Sequence, residues 1–485
     1  MEIHELEPRI VWRNFHALTQ IPRPSGHTEA VADFLVNFAK EHGAEAIIDE
    51  AGNVIMRKAA TPGYEQRPTV VLQAHMDMVP QKLGDSSHDF LKDPIPAYVD
   101  GEWVRSHGTT LGSDNGMGVA AAMAIIEDKA AEHGPLEVLI TKDEETGMYG
   151  AFGLQPGILT GKYLLNLDSE NEGEITIGCA GGMDVVCTMQ YQELNIESEG
   201  MEAYRVSISG LRGGHSGLEI NEGRANANKL MARFLFAAVN THCAWLSSWK
   251  GGNMRNAIPR EGEAILLTPA AKAEELKNLV AHCHTLFNSE YSAIENGNIE
   301  FTISPCDVPA KALPEEIQSS LINAVMAAHD GVLRYIPTIP EIVETSSNLA
   351  IINIADGNAE IDILARSATD SMKQWLCNSH IACFSMAGMK VSLEGGYSGW
   401  QPNTQSALVA TMADIHERLF GQRPVVQVCH AGLECGIIGV VYPNMDMASF
   451  GPTLRSPHTP DECCHIPTVG RFYTYLLEIL KTLKD

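Results

Sequence analysis

The alternation of hydrophobic and polar positions along the first third of the chain predicts helices and strands in turn. Helical segments carry apolar residues every three or four positions, whereas short continuous apolar runs are typical of strands buried on both faces. In chain order these segments are a helix over 23–43, a hairpin over 44–58, a strand beginning at Val70, a helix over 117–131, and strands over 136–141 and 162–168. Such alternation is typical of an α/β layer with a mixed, largely parallel sheet.

A different pattern occupies the middle of the chain, from about residue 186 to residue 392. Its segments are a strand over 204–211, helices over 225–239 and 270–287, a hairpin over 348–367 that turns at Asp356-Gly357, and a helix over 372–388. Later segments, including a helix over 469–483, return to the first pattern. We therefore predict an α/β domain built from residues 1–185 and 393–485, interrupted by an inserted α+β domain of residues 186–392.

The composition is that of a soluble protein with sizeable hydrophobic cores. Of the 485 residues, 45% are hydrophobic and 20% are charged, and no apolar run reaches the ~18 residues needed to span a bilayer. The N-terminal segment lacks the apolar core and the cleavage site of a signal peptide, so we expect a cytoplasmic protein. The 11 cysteines have no CxxC spacing, and we expect reduced thiols rather than a disulfide framework.

The chain is strongly acidic, with 34 Lys and Arg against 61 Asp and Glu and a formal charge of −27. Nucleic acids and anionic membranes bind to basic surfaces, so we expect neither as a partner. Most of these carboxylates serve solubility, and candidate chemistry must therefore be sought in particular residues.

The segment VVLQAHMDMVP, residues 70–80, ends a strand with His75 and Asp77. Residues two apart in an extended chain point to the same side, so this imidazole and this carboxylate project together from the carboxyl end of the strand. The two residues could be a metal ligand and its neighbour, or a hydrogen-bonded structural pair. Their position alone leaves both interpretations open.

Further polar residues of the metal-ligand type follow strands, open a helix or lie in loops. They are Asp114 before an alanine-rich helix, Glu144 and Glu145 after the strand LEVLIT, Asp168 at the end of KYLLNLD, and His458 in the loop GPTLRSPHTPDE. Each has an ordinary alternative role. Asp114 could be an N-cap, the acidic pair could be solvated, and His458 could simply be an exposed loop residue.

Taken together, these residues predict a metal site. Ligands gather at the carboxyl ends of strands in open α/β sheets, and four of the five places lie at or just after such an end. Two histidines and three carboxylates, with a spare glutamate, suit two Zn²⁺-like ions, and they suit Mn²⁺ or Co²⁺ better than Ca²⁺. Two such ions activate a water molecule, and the spare glutamate would take its proton.

The chain also resembles a known family over essentially its whole length. The segments that carry the resemblance are AHMDMVPQ, GTTLGSDNGMG, DEETGMYGAFGLQ, NLDSENEGEITIGCAGG, GGHSG, RNAIPR, HAGLECG and GPTLRSPHTPDE. They are similar to the motifs of the co-catalytic zinc dipeptidases of the M20 clan. DNGMG and HAGLECG favour the dipeptidases of that clan over its tripeptidases and amino-acid deacylases.

The resemblance implies two Zn²⁺ ions per subunit and a role for each residue of the predicted metal site. The implied ligands are His75 and Asp168 for one ion, Glu145 and His458 for the other, and Asp114 as the bridge between them. Asp77 would accept a hydrogen bond from the far nitrogen of His75 and fix its tautomer. Glu144 would be the general base of catalysis.

The resemblance further implies that the inserted domain is a lid and dimerisation domain of a homodimer. Four residues would contact a dipeptide. His215 would contact its developing oxyanion, in dimeric relatives at the substrate site of the partner subunit. Arg366 would contact its C-terminal carboxylate, Glu434 its free α-amino group, and Asn256 a further part of the substrate. Ordinary alternatives stay open here as well. Arg366 could form a salt bridge within a strand, and Asn256 could be a turn residue.

The predicted reaction is metal-dependent hydrolysis of unblocked dipeptides. The resemblance alone implies that these include Xaa-His dipeptides such as carnosine. One alternative is an aminoacylase or tripeptidase of the same clan. Another is a catalytically silent metal-binding scaffold. Glu144 argues against a scaffold, because a silent protein has no use for an additional carboxylate beside the metal.

Overall fold

The structure is a computed structural model that describes residues 2–241 and 244–484. The chain folds into two compact units. The first contains residues 2–178, 400–428 and 433–484, and the second contains the described part of residues 179–399 together with residues 429–432. The chain therefore leaves the first unit, forms the second, and returns to the first.

Twelve α-helices lie in the described part of the chain. In chain order they are α1 Arg9–Thr19, α2 Glu29–Glu41, α3 Ser113–Glu127, α4 Tyr149–Gly153, α5 Ala227–Thr241, α6 Ala273–Glu290, α7 Ser292–Glu295, α8 Glu315–Ala327, α9 Asp370–Met386, α10 Ala407–Phe420, α11 Glu434–Val441 and α12 Ile466–Thr482. Across residues 2–241 and 244–484, no helix combines the length and the apolar character that crossing a lipid bilayer requires.

The same residues form 25 strands. In chain order they are β1 Glu45–Ile48, β2 Val54–Lys58, β3 Val70–His75, β4 Ala97–Asp100, β5 Trp103–Ser106, β6 Leu136–Thr141, β7 Tyr163–Asn166, β8 Glu174–Cys179, β9 Gly181–Gln190, β10 Leu194–Asn195, β11 Met201–Ser209, β12 Gly214–His215, β13 Trp245–Gly251, β14 Ala257–Ile258, β15 Gly262–Pro269, β16 Glu300–Cys306, β17 Lys311–Ala312, β18 Gly331–Ile336, β19 Ile339–Ala355, β20 Asn358–Ser367, β21 Lys390–Tyr397, β22 Val425–Cys429, β23 Asp446–Ser449, β24 Leu454–Arg455 and β25 Cys463–His465.

An eight-stranded mixed sheet forms the centre of the first unit. Its strand order is β1-β2-β6-β3-β7-β23-β8-β22. β3 pairs in parallel with both β6 and β7, whereas β2 is antiparallel to its two neighbours. All six residues of β3 and all six of β6 are buried, as their continuous apolar runs predict.

The helix α3 lies in the core of the first unit and packs against α1 and β3. Its residues from Gly116 to Ile126 are all buried. Small residues allow the helix to approach the sheet closely, and a Cβ atom at Gly118 would lie only 2.6 Å from the carbonyl oxygen of Leu167. The start of α3 is therefore held beside the carboxyl ends of β3 and β7.

The second unit contains a largely antiparallel sheet with the order β16-β11-β15-β13-β19-β20-β9-β21, to which β18 adds by pairing with β19. The helices α5, α6, α8 and α9 pack against this sheet. Its core includes four fully buried aromatic side chains, those of Phe234, Trp249, Phe287 and Phe384.

The predicted fold class, α/β with a second inserted domain, is confirmed. The hairpin over 348–367 is present as β19 and β20, and its turn residues Asp356 and Gly357 both have positive φ. The helix predicted over 23–43 begins only at Glu29. Pro24 and Gly26, which has a φ of 83°, belong to the turn that precedes it.

Candidate metal centre

Parallel strand pairing brings three of the predicted ligand segments to one edge of the first sheet. His75 is the last residue of β3 and pairs with Thr141, the last residue of β6. Glu144 and Glu145 follow β6, and Asp168 lies two residues beyond the end of β7. The carboxyl ends of these neighbouring strands therefore present one imidazole and three carboxylates to the same region.

His75 faces two carboxylates across this edge. Its Nε2 atom lies 3.2 Å from Oδ1 of Asp114 and 3.4 Å from Oδ1 of Asp168. The imidazole is almost completely buried, and Asp114 reaches it from the start of α3. These three residues offer ligand atoms within 4.8 Å of one another, a set that a divalent ion can share.

A second candidate metal-binding group of three residues uses the other oxygen of Asp114. Nε2 of His458 lies 3.1 Å from Oδ2 of Asp114 and 3.0 Å from Oε2 of Glu145. The loop that carries His458 is held by β25, which pairs with β24 and β5. Asp114 thus faces one imidazole with each oxygen, which is the arrangement of a ligand shared by two sites.

The contacts of Asp114 speak against the N-cap interpretation. The N-cap position of α3 is occupied by Gly112, not by Asp114. The peptide bond between Asp114 and Asn115 is cis. Both oxygens of Asp114 lie near imidazole nitrogens, so this carboxylate belongs to the cluster and does not act as an N-cap.

The cluster fits divalent cations. Oε1 of Glu145 and Oδ1 of Asp168 are buried and have no hydrogen-bond partner among the described residues. Buried carboxylate oxygens are normally hydrogen-bonded or bound to metal. In the protein alone, burial, Asp168 and Glu145 raise the pKa of Glu144 well above its usual range, against the opposing charge of His75. Cations among these carboxylates would relieve that crowding.

Asp77 supports the cluster from behind. Its Oδ1 lies 3.3 Å from Nδ1 of His75. The same carboxylate accepts hydrogen bonds from the backbone N–H groups of Glu144 and Glu145 at 3.1 and 3.3 Å, and from Oγ of Ser25 at 2.7 Å. Asp77 therefore orients the predicted ligand His75 while it holds the loop that carries two more acidic groups.

Glu434 is fully buried at the start of α11, within the same unit. Its Oε2 accepts hydrogen bonds from Nε2 of Gln73 and Oγ1 of Thr141, both at 2.6 Å. Its Oε1 has no partner among the described residues. Burial raises the pKa of Glu434 to about 8. Because Oε1 has no partner, it is the oxygen that could contact a cationic group, whose charge would favour the ionised form of this carboxyl group.

His215 lies in the second unit with a defined tautomer. Its Nδ1 accepts hydrogen bonds from the backbone N–H groups of Gly217 and Leu218 at 3.1 and 3.0 Å. Burial and the nearby charge of Arg366 lower the pKa of His215 to about 4, so the ring is neutral at neutral pH. Its single proton is then on Nε2, which leaves this atom as a hydrogen-bond donor.

Arg366 is a nearly buried cation, 5% exposed, at the end of β20. Its Nη1 donates to the hydroxyl of Tyr397 at 3.0 Å, and its Nε donates to Oγ of Ser216 at 3.5 Å. No carboxylate of the described residues lies within 4.0 Å of it, so it does not form the ordinary strand salt bridge.

Asn256, by contrast, lies in an exposed turn, where its carbonyl accepts the N–H of Ser216 at 2.9 Å.

Two buried residues near these groups were not singled out from the sequence. His430 contacts Oγ of Ser346 through Nε2 at 2.7 Å, and burial, Arg366 and His215 lower its pKa to about 3. Glu462 accepts hydrogen bonds from the loop before Asp114. His430 stands inside the segment HAGLECG, which could have directed attention to it. Glu462 stands in an acidic loop, and nothing in its neighbourhood distinguishes it from a solvated carboxylate.

Comparison with known proteins identifies the family. The model of Peptidase family M20/M25/M40 matches residues 71–482. This chain belongs to that family. As a member of M20/M25/M40 it is a peptide hydrolase, as predicted.

Two relatives are similar to this chain over almost their whole length. The cytosol non-specific dipeptidase of Escherichia coli (strain K12) is 43% identical over 482 residues, which cover 99% of each chain. The crystal structure of the aminoacylhistidine dipeptidase from Vibrio alginolyticus has a TM-score of 0.93 at 41% identity, covering 100% of this chain and 99% of that one. A tripeptidase from Staphylococcus aureus, with a TM-score of 0.57 at 15% identity and 99% coverage of each chain, shares the fold alone.

Proposed function

We propose that this protein is a metal-dependent dipeptidase that hydrolyses unblocked dipeptides, including Xaa-His dipeptides. The observation that carries the proposal is the pair of ligand groups that share Asp114, with His75 and Asp168 in one and Glu145 and His458 in the other. The similarity to a non-specific dipeptidase and to an aminoacylhistidine dipeptidase supports the substrate class. Zn²⁺ is the expected ion, and Mn²⁺ or Co²⁺ are expected substitutes.

Bound by these ligands, two divalent ions would lower the pKa of a water molecule and polarise the scissile carbonyl group. Glu144 is the residue that moves the proton. Its carboxylate accepts a proton from the attacking water and delivers it to the leaving amine as the C–N bond breaks. Asp77 keeps His75 and the backbone of Glu144 in fixed positions during this transfer.

His215 would stabilise the carbonyl oxygen as negative charge develops on it. A neutral imidazole with its proton on Nε2 donates a hydrogen bond without first having to release a proton. The two amide groups that bind Nδ1 hold this tautomer in advance. Such a donor contributes most when it is oriented before the reaction begins.

Two charged groups would recognise the two ends of a dipeptide. Arg366 would bind the C-terminal carboxylate, because its buried guanidinium has no carboxylate partner among the described residues. The free oxygen of Glu434 would bind the α-ammonium group. Recognition of both ends favours free dipeptides over longer peptides and over N-acetylated amino acids. Asn256 as a substrate contact, the lid role of the second unit, the homodimer and the cytoplasmic location stay predictions.

The direct test is hydrolysis of carnosine and Gly-Gly by the purified protein before and after chelation, with Zn²⁺ or Mn²⁺ added back. We expect chelation to abolish cleavage and metal to restore it. Glu144→Gln should lower kcat by about 10²- to 10⁴-fold, the range that a general acid–base contributes, while leaving the bound metal in place. Glu29→Gln, which changes an exposed glutamate of α2, is the control and should behave like the wild type.

Each other outcome of this test supports a different function. Cleavage of N-acetyl amino acids but not of free dipeptides would support an aminoacylase. Preferential cleavage of tripeptides would support a tripeptidase. Tight metal binding without any turnover would support the silent scaffold and contradict the proposal.

A further inference from the structure

Glu462 is a buried carboxylate, 2% exposed, that lies four residues after His458. Its Oε2 accepts the backbone N–H groups of Leu111 and Gly112 at 2.8 and 2.9 Å. Its Oε1 accepts the N–H and the hydroxyl of Ser113 at 2.7 and 2.6 Å, and the N–H of Asp114 at 3.2 Å. Five hydrogen bonds therefore connect this one side chain to four consecutive residues.

The four consecutive residues end at the carboxylate that both ligand groups share. Because Glu462 binds the N–H of Asp114 and the three residues before it, it restricts the backbone from which that carboxylate projects. Its own backbone is held by a hydrogen bond from its N–H to the carbonyl of Thr459, and β25, which follows it directly, pairs with β5. The side chain thus connects the segment of Asp114 to the segment of His458.

Arg23 extends this connection to a third segment, the one that carries His75. Its Nη1 donates to the carbonyl groups of Met76 and Asp77, both at 3.0 Å, and its Nη2 donates to the carbonyl of Gly112 at 2.5 Å. Gly112 is therefore bound through its N–H by Glu462 and through its carbonyl by Arg23. A side chain at this position would collide, since a Cβ atom would lie 2.7 Å from Nη2 of Arg23.

We propose that Glu462 is a positioning residue that sets the place of Asp114 relative to His458 and thereby determines the affinity of the metal centre. The proposal rests on the proposed function, because it assumes that Asp114 and His458 bind metal. Outer residues of this kind typically change metal affinity by about 10- to 100-fold when they are substituted.

The first test is Glu462→Gln, which keeps the volume of the side chain. Whichever oxygen becomes an NH₂ group, at least two N–H donors of the loop lose their acceptor.

The chain offers a matched control in Glu137 of β6, another buried glutamate. Glu137 accepts the N–H groups of Thr160 and Gly161 at 2.8 and 3.0 Å, and Oγ1 of Thr160 at 3.2 Å. These contacts lie before the start of β7, at the end of the sheet opposite to the ligands.

The measurement is the dissociation constant of Zn²⁺ and of Co²⁺ from metal-free protein, by competition with a chromophoric chelator, together with the visible spectrum of the Co²⁺ form. We expect Glu462→Gln to weaken binding by about 10- to 100-fold and to alter the Co²⁺ spectrum. Glu137→Gln should retain the wild-type affinity and spectrum. Both variants should lower the thermal midpoint of the metal-free protein, so a loss of affinity confined to Glu462→Gln separates positioning from general stability.

Smaller substitutions cover the case in which Glu462→Gln does not fold. Ser113→Ala removes one of the five hydrogen bonds to Glu462, and Thr160→Ala removes the equivalent hydroxyl at Glu137. We expect weaker metal binding only in Ser113→Ala. The proposed role of Glu462 would be overturned if Glu462→Gln bound metal as tightly as Glu137→Gln. It would also be overturned if Ser113→Ala bound metal as tightly as Thr160→Ala. Wild-type protein that binds no metal would instead overturn the proposed function, so the two failures are distinguishable.

Discussion

Arg366 carries a charge that folding has removed from water and left without a carboxylate partner in the described part of the chain. Burying an unpaired charge costs several kcal/mol, and hydroxyl groups such as those of Tyr397 and Ser216 compensate only in part. A bound carboxylate would recover this free energy. At the scale of the residue, an incomplete ion pair is therefore the clearest sign of a ligand.

We expect Arg366→Met to lower kcat/KM for a free dipeptide by about 10- to 100-fold, because hydrogen bonds to charged groups contribute roughly 1.5–3 kcal/mol. The wild type should lose a similar factor on the amide of the same dipeptide, which lacks the carboxylate. On that amide, the variant and the wild type should be nearly equal, as steady-state kinetics can measure.

Arg205→Met is the matched control for this experiment, since Arg205 is an exposed arginine of β11 that pairs with Glu263. It should leave both substrates unaffected. A loss of equal size on the free dipeptide and on its amide in Arg366→Met would contradict carboxylate recognition by Arg366.

At the scale of the element, the packing of α3 depends on a glycine. A Cβ atom at Gly118 would lie 2.6 Å from the backbone oxygen of Leu167, the residue before Asp168. We expect Gly118→Ala to lower the free energy of unfolding by about 1–3 kcal/mol and to weaken metal binding, since the helix must move away from the strand end. Thermal unfolding and metal titration measure the two effects.

Gly470 provides the comparison, because it also lies inside a helix, α12, but a Cβ atom there would meet only Cδ of Pro8 at 3.7 Å. Gly470→Ala should stabilise the protein by up to about 1 kcal/mol through the higher helix propensity of alanine. Equal effects of the two substitutions would show that close packing is not what requires Gly118.

The helix α9 contains a buried histidine that should make the protein sensitive to acid. Burial, together with His329 and Lys229, lowers the pKa of His380 to about 4, whereas histidine in an unfolded chain titrates near pH 6.5. Between these values the unfolded state binds a proton that the folded state excludes. The free energy of unfolding should therefore fall as pH falls from 6.5 to 4, by about 3 kcal/mol in full.

His380→Leu should remove this part of the pH dependence. We expect the thermal midpoint of the metal-free variant to decline less between pH 7 and pH 4.5 than that of the wild type. His282→Leu, which changes an exposed histidine of α6, should follow the wild-type curve. If the thermal midpoint of His380→Leu declined with pH in parallel with that of the wild type, His380 would not be the source of the acid sensitivity.

The elements that could be predicted from the sequence are those with a local pattern of residues. Roles that depend on a hydrogen-bond partner far away along the chain could not be predicted. Continuous apolar runs identified β3 and β6, and Asp356-Gly357 identified the hairpin of the second unit. Glu462 could not be recognised, because its acceptor role depends on amide groups about 350 positions earlier in the chain. The second interpretation of Asp114, an N-cap, could be rejected only once the direction of its two oxygens was known.

At the scale of the whole molecule, the formal charge of −27 should govern association. The predicted homodimer brings together two chains of the same sign, and salt screens their repulsion. We expect light scattering to give twice the mass of one chain, with a dimer fraction that rises with salt concentration in dilute solution. The mass of a single chain at every salt concentration, with full activity, would contradict the predicted dimer.

The order of strands in the first sheet has a consequence for how the chain folds. β23 lies between β7 and β8, although 280 positions separate Asn166 at the end of β7 from Asp446 at the start of β23. Such long-range pairing is slow to form, because the entropy of closing the intervening loop is lost before the contacts are gained. The second unit lies entirely within that intervening segment and has a hydrophobic core of its own. We therefore expect the first sheet to close late, so that capture of metal by a refolding chain would mark one of the last steps of folding.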